Sequence, residues 1–303
     1  MTDLLPHWDV TDVFPAIGSR EYSAAREELG ADLTRLTALY DEHDVRGGDD
    51  KQVDDATVAA FEAVLDETNL IMDRVKLLSG FLSSYVTTDA RNDLAQGELS
   101  QLQAELSQLS RLRSRFDAWV ATLGDDALTA RSTAAADHAY PLERSTLRAA
   151  HQMSEAEEGL LADLSLTGST AWVRLYGTFT SQLAVRVDGF AAPMPMSRVR
   201  GLAYDPDGDV RRRAYEAEVA AWEANDVPII AALNAVKGEA ATVNRRRGWA
   251  DDLEPALAAN GVDRPTLDAM QAAVVDALPD FRRYLRAKTQ LLGRGDTGLP
   301  FFD

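Results

Sequence analysis

Cysteine is absent from all 303 residues. That excludes a disulfide scaffold, a thiolate zinc site and a cysteine nucleophile, and it suits a reducing compartment. Glycine and proline are sparse, at 19 and 11, which argues against collagen-like and low-complexity chains. No window approaches the ~20 apolar residues of a membrane span. Positive charge is also short: 31 Lys and Arg face 49 Asp and Glu, for a net charge of −18. Such a balance opposes binding to phosphate backbones and anionic lipid, so neither nucleic acid nor membrane is expected as a partner. The opening MTDLLPHWDVTDVF lacks a basic stretch followed by an apolar run, and a cytoplasmic protein without an export signal is expected.

What is present is helical. The hydrophobic share is 46%, and the length predicts one large helical body or two closely packed parts. The fold class expected is all-α: a multi-helix body with a long antiparallel helical hairpin and one small β-hairpin near residues 184–197. Residues 1–19, with Trp8, Val10, Val13 and Phe14, read as an ordered extended lead-in. A first helix runs from Glu21 to about His43. Two long helices follow, one carrying Phe61 to Tyr85 and the other Leu99 to Leu123 at three- and four-residue spacing, joined by a short loop at Thr87, Thr88 and Asp89. The same spacing fits an intermolecular coiled-coil seam, an alternative that periodicity leaves open.

Residues 124–140 read as small and polar with a short helix around Ala127 to Arg131. Ser154 and Glu157 form a capping box, and Ser169 caps a further helix carrying Trp172 to Leu183. Alternation at Val185, Val187 and Phe190, a turn at Asp188 and Gly189, and alternation again at Met194 and Met196 predict the β-hairpin. Asp207 or Asp209 caps a helix from Val210 to about Ala224. The most sharply punctuated segment lies at residues 226–249, with Asp226 as N-cap, Pro228 in the first turn and Gly248 as stop. Its apolar set Ile229, Ile230, Leu233, Val236, Ala240 and Val243 predicts one buried face, with Asn234, Lys237 and Asn244 close to it. A short helix near Leu253 to Ala259 and a long helix from Pro265 to Leu292, capped by Asp263, complete the chain. Phe301 and Phe302 read as exposed apolar residues of a kind that usually has something to pack on.

No residue pattern declares a catalyst. His7, His43, His138 and His151 form no HExxH and no other pair with ligand spacing. The adjacent Glu157 and Glu158 are explained by capping and solvation. Asp205, Asp207 and Asp209 imitate half a calcium loop but lack the closing glutamate. Arg211, Arg212 and Arg213, in the first turns of a helix, read as partners of neighbouring acids or as a site for a peptide carboxylate. Arg245, Arg246 and Arg247 sit at a helix C-terminus, where cations are favoured. There is no glycine-rich phosphate loop and no GxSxG. Catalytic residues: none; metal ligands: none; binding residues: not assigned.

Several stretches taken in order resemble the amino-terminal half of oligoendopeptidase F, in the thimet oligopeptidase-like zinc metallopeptidases. They are WDVTDVFP at 8–15, SEAEEGLL at 154–161, TGSTAWVRLY at 167–176, DPDGDVRRRAY at 205–215, LNAVKG at 233–238 with RGW at 247–249, and RYLRAK at 283–288 followed by LLG at 291–293. The resemblance implies a mostly helical enzyme in two halves around a deep channel, hydrolysing short peptides with Zn held by HExxH and a further glutamate in the carboxy-terminal half. It implies three parts here: a helical hairpin region at 1–123, a channel wall with the β-hairpin at 124–200, and the first helices of the catalytic domain at 201–303, truncated before the zinc motif. On that expectation the chain needs a missing carboxy-terminal catalytic half, holds no cofactor itself and is inactive alone. Residues 176–196 and the Asp226 helix are the expected channel lining. The alternatives are a free-standing helical peptide-binding module and a coiled-coil interaction module, both without catalysis.

Overall fold

The computed structural model describes residues 9–48, 52–295 and 298–303. The expectations for His7, Trp8 and residues 49–51 lie outside them. The described residues form an all-α protein with one two-stranded sheet, divided into two units at 171/172.

In the first unit, α1 (Arg20–Glu42), α2 (Asp55–Thr88) and α3 (Asp93–Leu123) are the long helices. Each begins at a short polar side chain that accepts a first-turn amide: Ser19 from Tyr22, Asp54 from Thr57 and Asn92 from Ala95. These caps satisfy donors that have no intrahelical partner. Residues 89–92 turn α2 back along α3, and both pack with α1. Leu29, Leu36, Phe61, Val64, Leu78, Leu82, Leu102 and Val120 share one core. The stripe on α2 and α3 is thus covered from within the chain. Leu106 and Leu109, on the alternative coiled-coil seam, rest against this same core.

The lead-in departs from expectation. Residues 9–19 form successive turns, not an extended segment. Phe14 is nevertheless buried, edge-on to Tyr22 and Phe81 at ring-centroid distances of 5.7 and 5.0 Å.

After α3 come α4 (Asp125–Thr129), α5 (Thr133–Asp137), α6 (Ala139–Ala150) and α7 (Glu155–Ser165). The sequence reading missed α6, which packs along α3. Its register is fixed by polar contacts: Arg148 Nε and Nη2 donate to the two carboxylate oxygens of Asp117, each at 2.7 Å, and Nη2 also donates to Ser145 Oγ at 2.8 Å. Only Leu142 and Ser145 on α6 are buried, too little for apolar periodicity to announce the helix. The Ser154–Glu157 capping box is present. Glu158 is buried rather than solvated, and it accepts the Met153 amide at 3.1 Å.

In the second unit, α8 (Ser169–Ser181) crosses the division and opens on Ser169 itself, so Ser169 is its first residue and not a residue before it. Strands β1 (Ala184–Val185) and β2 (Met194–Pro195) pair antiparallel, Ala184 with Pro195 and Val185 with Met194. The pairing is short because Pro193 and Pro195 have no amide to donate. Gly189 turns the chain at φ +87°, a value that its missing side chain permits. Met196, expected to continue the strand, instead opens α9 (Met196–Gly201).

A 3₁₀ turn follows, then α10 (Gly208–Glu223), capped by Asp207. The helix α11 (Asp226–Arg246) has Asn225 at its N-cap position, so Asp226 is its first residue rather than its cap. The unit ends with α12 (Leu253–Asn260) and α13 (Arg264–Leu291), the latter capped by Asp263 through the Thr266 amide. A small core holds Val185, Val187, Met194, Met196, Val199 and Ala214.

The buried face expected on α11 is not there. Only Ala232 is buried on this helix, while Ile230 and Leu233 are 49% and 55% exposed. On α13, Met270, Val274, Phe281 and Tyr284 are 55–61% exposed. Helical period reports an apolar stripe; it does not report what covers it.

Candidate functional site

Two clefts lie in the second unit. The larger, of about 390 Å³, is lined by Tyr176, Arg200, Trp222, Glu223, Asp226, Ile229 and Ile230. Helix α10 delivers Trp222 and Glu223 in its last turn. Residue 225 then breaks the helix, and the first turn of α11 brings Asp226, Ile229 and Ile230 to the same opening. Glu218 fixes one wall. Its Oε1 accepts from Arg200 Nε at 2.7 Å and from the Trp222 indole Nε1 at 3.1 Å, and the Arg200 guanidinium lies 5.6 Å from the Trp222 ring centroid. The arginine is therefore both stacked and neutralised.

The smaller cleft, of about 270 Å³, is lined in part by Val199, Arg211, Tyr215, Lys288, Phe302 and Asp303. Arg211 is fully engaged there. It donates to the carbonyls of Asp205, Pro206 and Phe302 at 2.8, 3.2 and 2.9 Å, and to Asp303 Oδ1 at 2.8 Å. Arg294 pairs with the other Asp303 oxygen at 2.5 Å, and Lys288 donates to the Asp303 carbonyl. Burial raises the Asp303 carboxyl, but hydrogen bonds and charge from Arg211 and Arg294 outweigh it and hold the group below its ordinary value. Phe301 and Phe302 do have a surface to pack on: both rings lie against Tyr215, at centroid distances of 5.5 and 5.9 Å. Phe301 remains 88% exposed overall.

The arginine triplet therefore has three different settings. Arg211 binds the chain's own carboxylate, and Arg212 pairs with Glu216 at 3.1 Å and Asp209 at 3.5 Å. The Arg213 guanidinium lies against the Gly189 turn, where a Cβ would stand 3.6 Å away, and its Nε is buried without a hydrogen-bond partner.

Of the stretches expected to line a channel, residues 176–196 contribute Tyr176 to the larger cleft, and the Asp226 helix contributes Asp226, Ile229 and Ile230. Arg200, Trp222 and Glu223 were not singled out from the sequence. Asn234 and Lys237 are exposed, and Asn244 donates to Asp252 at 2.9 Å.

The acidic trio does not assemble a cation site. Asp205 accepts the Asp207 amide at 2.9 Å and Asp207 accepts the Asp209 amide at 2.8 Å, so these carboxylates close turns. Of the histidines, His138 lies with Nδ1 2.8 Å from the Ala134 carbonyl oxygen. Among the described residues no group of three His, Asp or Glu side chains could hold a metal ion. No helix among those residues is long and apolar enough to cross a membrane.

The fold itself is shared with two solved structures. The crystal structure of oligoendopeptidase-F from Enterococcus faecium superposes with a TM-score of 0.75 over 94% of this chain and 55% of that one, at 16% identity. A putative peptidase from Chlamydophila abortus matches with a TM-score of 0.56 over 97% of this chain and 48% of that one, at 15% identity. The particular relationship is narrower. The family model described as Oligopeptidase F matches residues 124–184, and together with the fold it supports the resemblance to the amino-terminal portion of oligoendopeptidase F. No curated protein matches by sequence. The chain spans about half the length of the solved peptidases it resembles.

Proposed function

We propose that this chain is the amino-terminal portion of a zinc-dependent oligoendopeptidase that hydrolyses short peptides in a deep channel. In this reading residues 1–123 form the helical hairpin region, 124–200 the channel wall and 201–303 the first helices of the catalytic domain. Zinc, its ligands and the catalytic base belong to a carboxy-terminal half, and the intact enzyme works in the cytoplasm on peptides short enough to enter the channel.

The observation that carries this reading is the fold match over 94% of this chain and only 55% of its counterpart. The uncovered apolar residues of α11 and α13 support it. Apolar side chains on a 28-residue helix are poor neighbours for water, and the carboxy-terminal half is the surface we assign to cover them.

The purified 303-residue chain is expected to leave a quenched short peptide uncut with or without added zinc. It is also expected to bind an apolar dye, with binding falling after Val274→Lys and Phe281→Lys. Chelator-sensitive cleavage by the pure chain, or a dye signal unchanged by those substitutions, contradicts the proposal.

A further inference from the structure

We infer that the larger cleft, lined from α8, α9, α10 and α11, receives the basic side chain of a short peptide, arginine or lysine. The inference rests on the peptide-binding reading above and specifies the chemistry it selects.

Size comes first: about 390 Å³ falls in the range of ligand sites, ~300–1,000 Å³, and suits one long side chain. Charge decides the occupant. Glu218 already balances Arg200, whereas Glu223 and Asp226 line the opening with no hydrogen-bond or ion-pair partner among the described residues. Among those residues neither carboxylate has a cationic partner, and Asp226 has only the amino-terminal dipole of α11 to offset it.

Their placement sharpens the point. Glu223 is the last residue of α10, and no Lys or Arg occupies that last turn. A helix C-terminus is already the negative end of the macrodipole, so an anion there is unfavourable until a cation joins it. Nothing local requires the carboxylate at that position, since Asn225 meets the backbone itself by donating from Nδ2 to the Ala221 carbonyl at 2.7 Å.

The rest of the lining suits the stem of such a side chain. Ile229, Ile230, Tyr176 and Trp222 offer apolar contact to three or four methylenes, while the charged head remains at the carboxylates. Tyr176 is 47% exposed, leaving its ring open to a guanidinium or ammonium. An acidic side chain meets two like charges here. A wholly apolar one removes water from the carboxylates and returns nothing.

Calorimetric titration of the 303-residue chain with acetyl-Ala-Ala-Arg-Ala-Ala-amide and with its citrulline counterpart tests this. Citrulline keeps the shape and removes the charge. The arginine peptide is expected to bind about tenfold more tightly, the worth of a charge-assisted hydrogen bond. Glu223→Gln combined with Asp226→Asn is expected to bring it to the citrulline level while leaving the citrulline peptide unchanged. Both side chains are exposed, and an unaltered melting temperature checks that the variant folds. Equal affinity for the two peptides, or undiminished arginine preference in the variant, overturns the inference and leaves the peptide-binding reading standing. Binding of neither peptide by the parent chain removes that reading, and the inference with it.

Discussion

Replacing Asp117 by Asn is expected to lower the stability of the first unit by about 3 kcal/mol, the cost of stripping one partner from a buried ion pair. Asp117 is 2% exposed and takes both arms of the Arg148 fork. A second cation depends on it. Arg113 is pulled below the ordinary arginine value by burial and by the charge of Arg148, and Asp117 opposes that pull. Without the carboxylate, the charge of Arg148 acts on Arg113 unopposed. Chemical denaturation followed by circular dichroism gives the difference directly. The paired change Asp117→Leu with Arg148→Met is expected to cost far less than the single one, because it removes the charges together. Equal losses in the single and double variants contradict the assignment.

Replacing Arg211 by Met should lower the stability of the second unit by roughly 3 kcal/mol at neutral pH, again as the cost of breaking a buried pair. The Asp303 side chain is 1% exposed and that of Arg211 17%, so solvent does little to soften the loss. Arg294 and Lys288 remain, which keeps the effect at the lower end of the range. The pH dependence has a fixed sign. The Asp303 carboxyl lies below its ordinary value when folded, despite burial raising it, because Arg211 and Arg294 stabilise the ionised form. The stability it contributes is therefore complete above the ordinary aspartate value and is lost as pH falls through the lower folded one. The gap between parent and Arg211→Met should narrow below about pH 4. A gap independent of pH contradicts the carboxylate pairing.

The long helices were legible because their signals agree. Stripes of Leu, Val and Phe persist over many turns on α2 and α3, polar caps mark the starts, and the linking segment at 89–92 is too short for anything but a reversal. The capping box at Ser154 needed only four residues of local chemistry, and it was read correctly. By contrast, α6 holds its place through Arg148, Asp117 and Ser145 rather than through an apolar stripe. Periodicity does not register a helix built on polar contacts.

The α11 stripe was legible as a stripe, but its burial was not, because covering it depends on residues distant in sequence or on another surface. The clefts were legible only in part for the same reason. Tyr176 and Asp226 fall in stretches whose motifs drew attention. Trp222 and Glu223 stand at an ordinary helix end, and only the break at residue 225 and the return of α11 bring them opposite Ile229 and Ile230. The positions of Arg211 and Asp303 show the limit most plainly: 92 residues separate them, and no local pattern links the two.

The most direct test of the account is the intact mass of the endogenous protein in its source cell, captured with an antibody raised against this chain. The account predicts a product of about twice the present 33.1 kDa, the size expected if a second half carries the zinc site. A product of 33.1 kDa contradicts it.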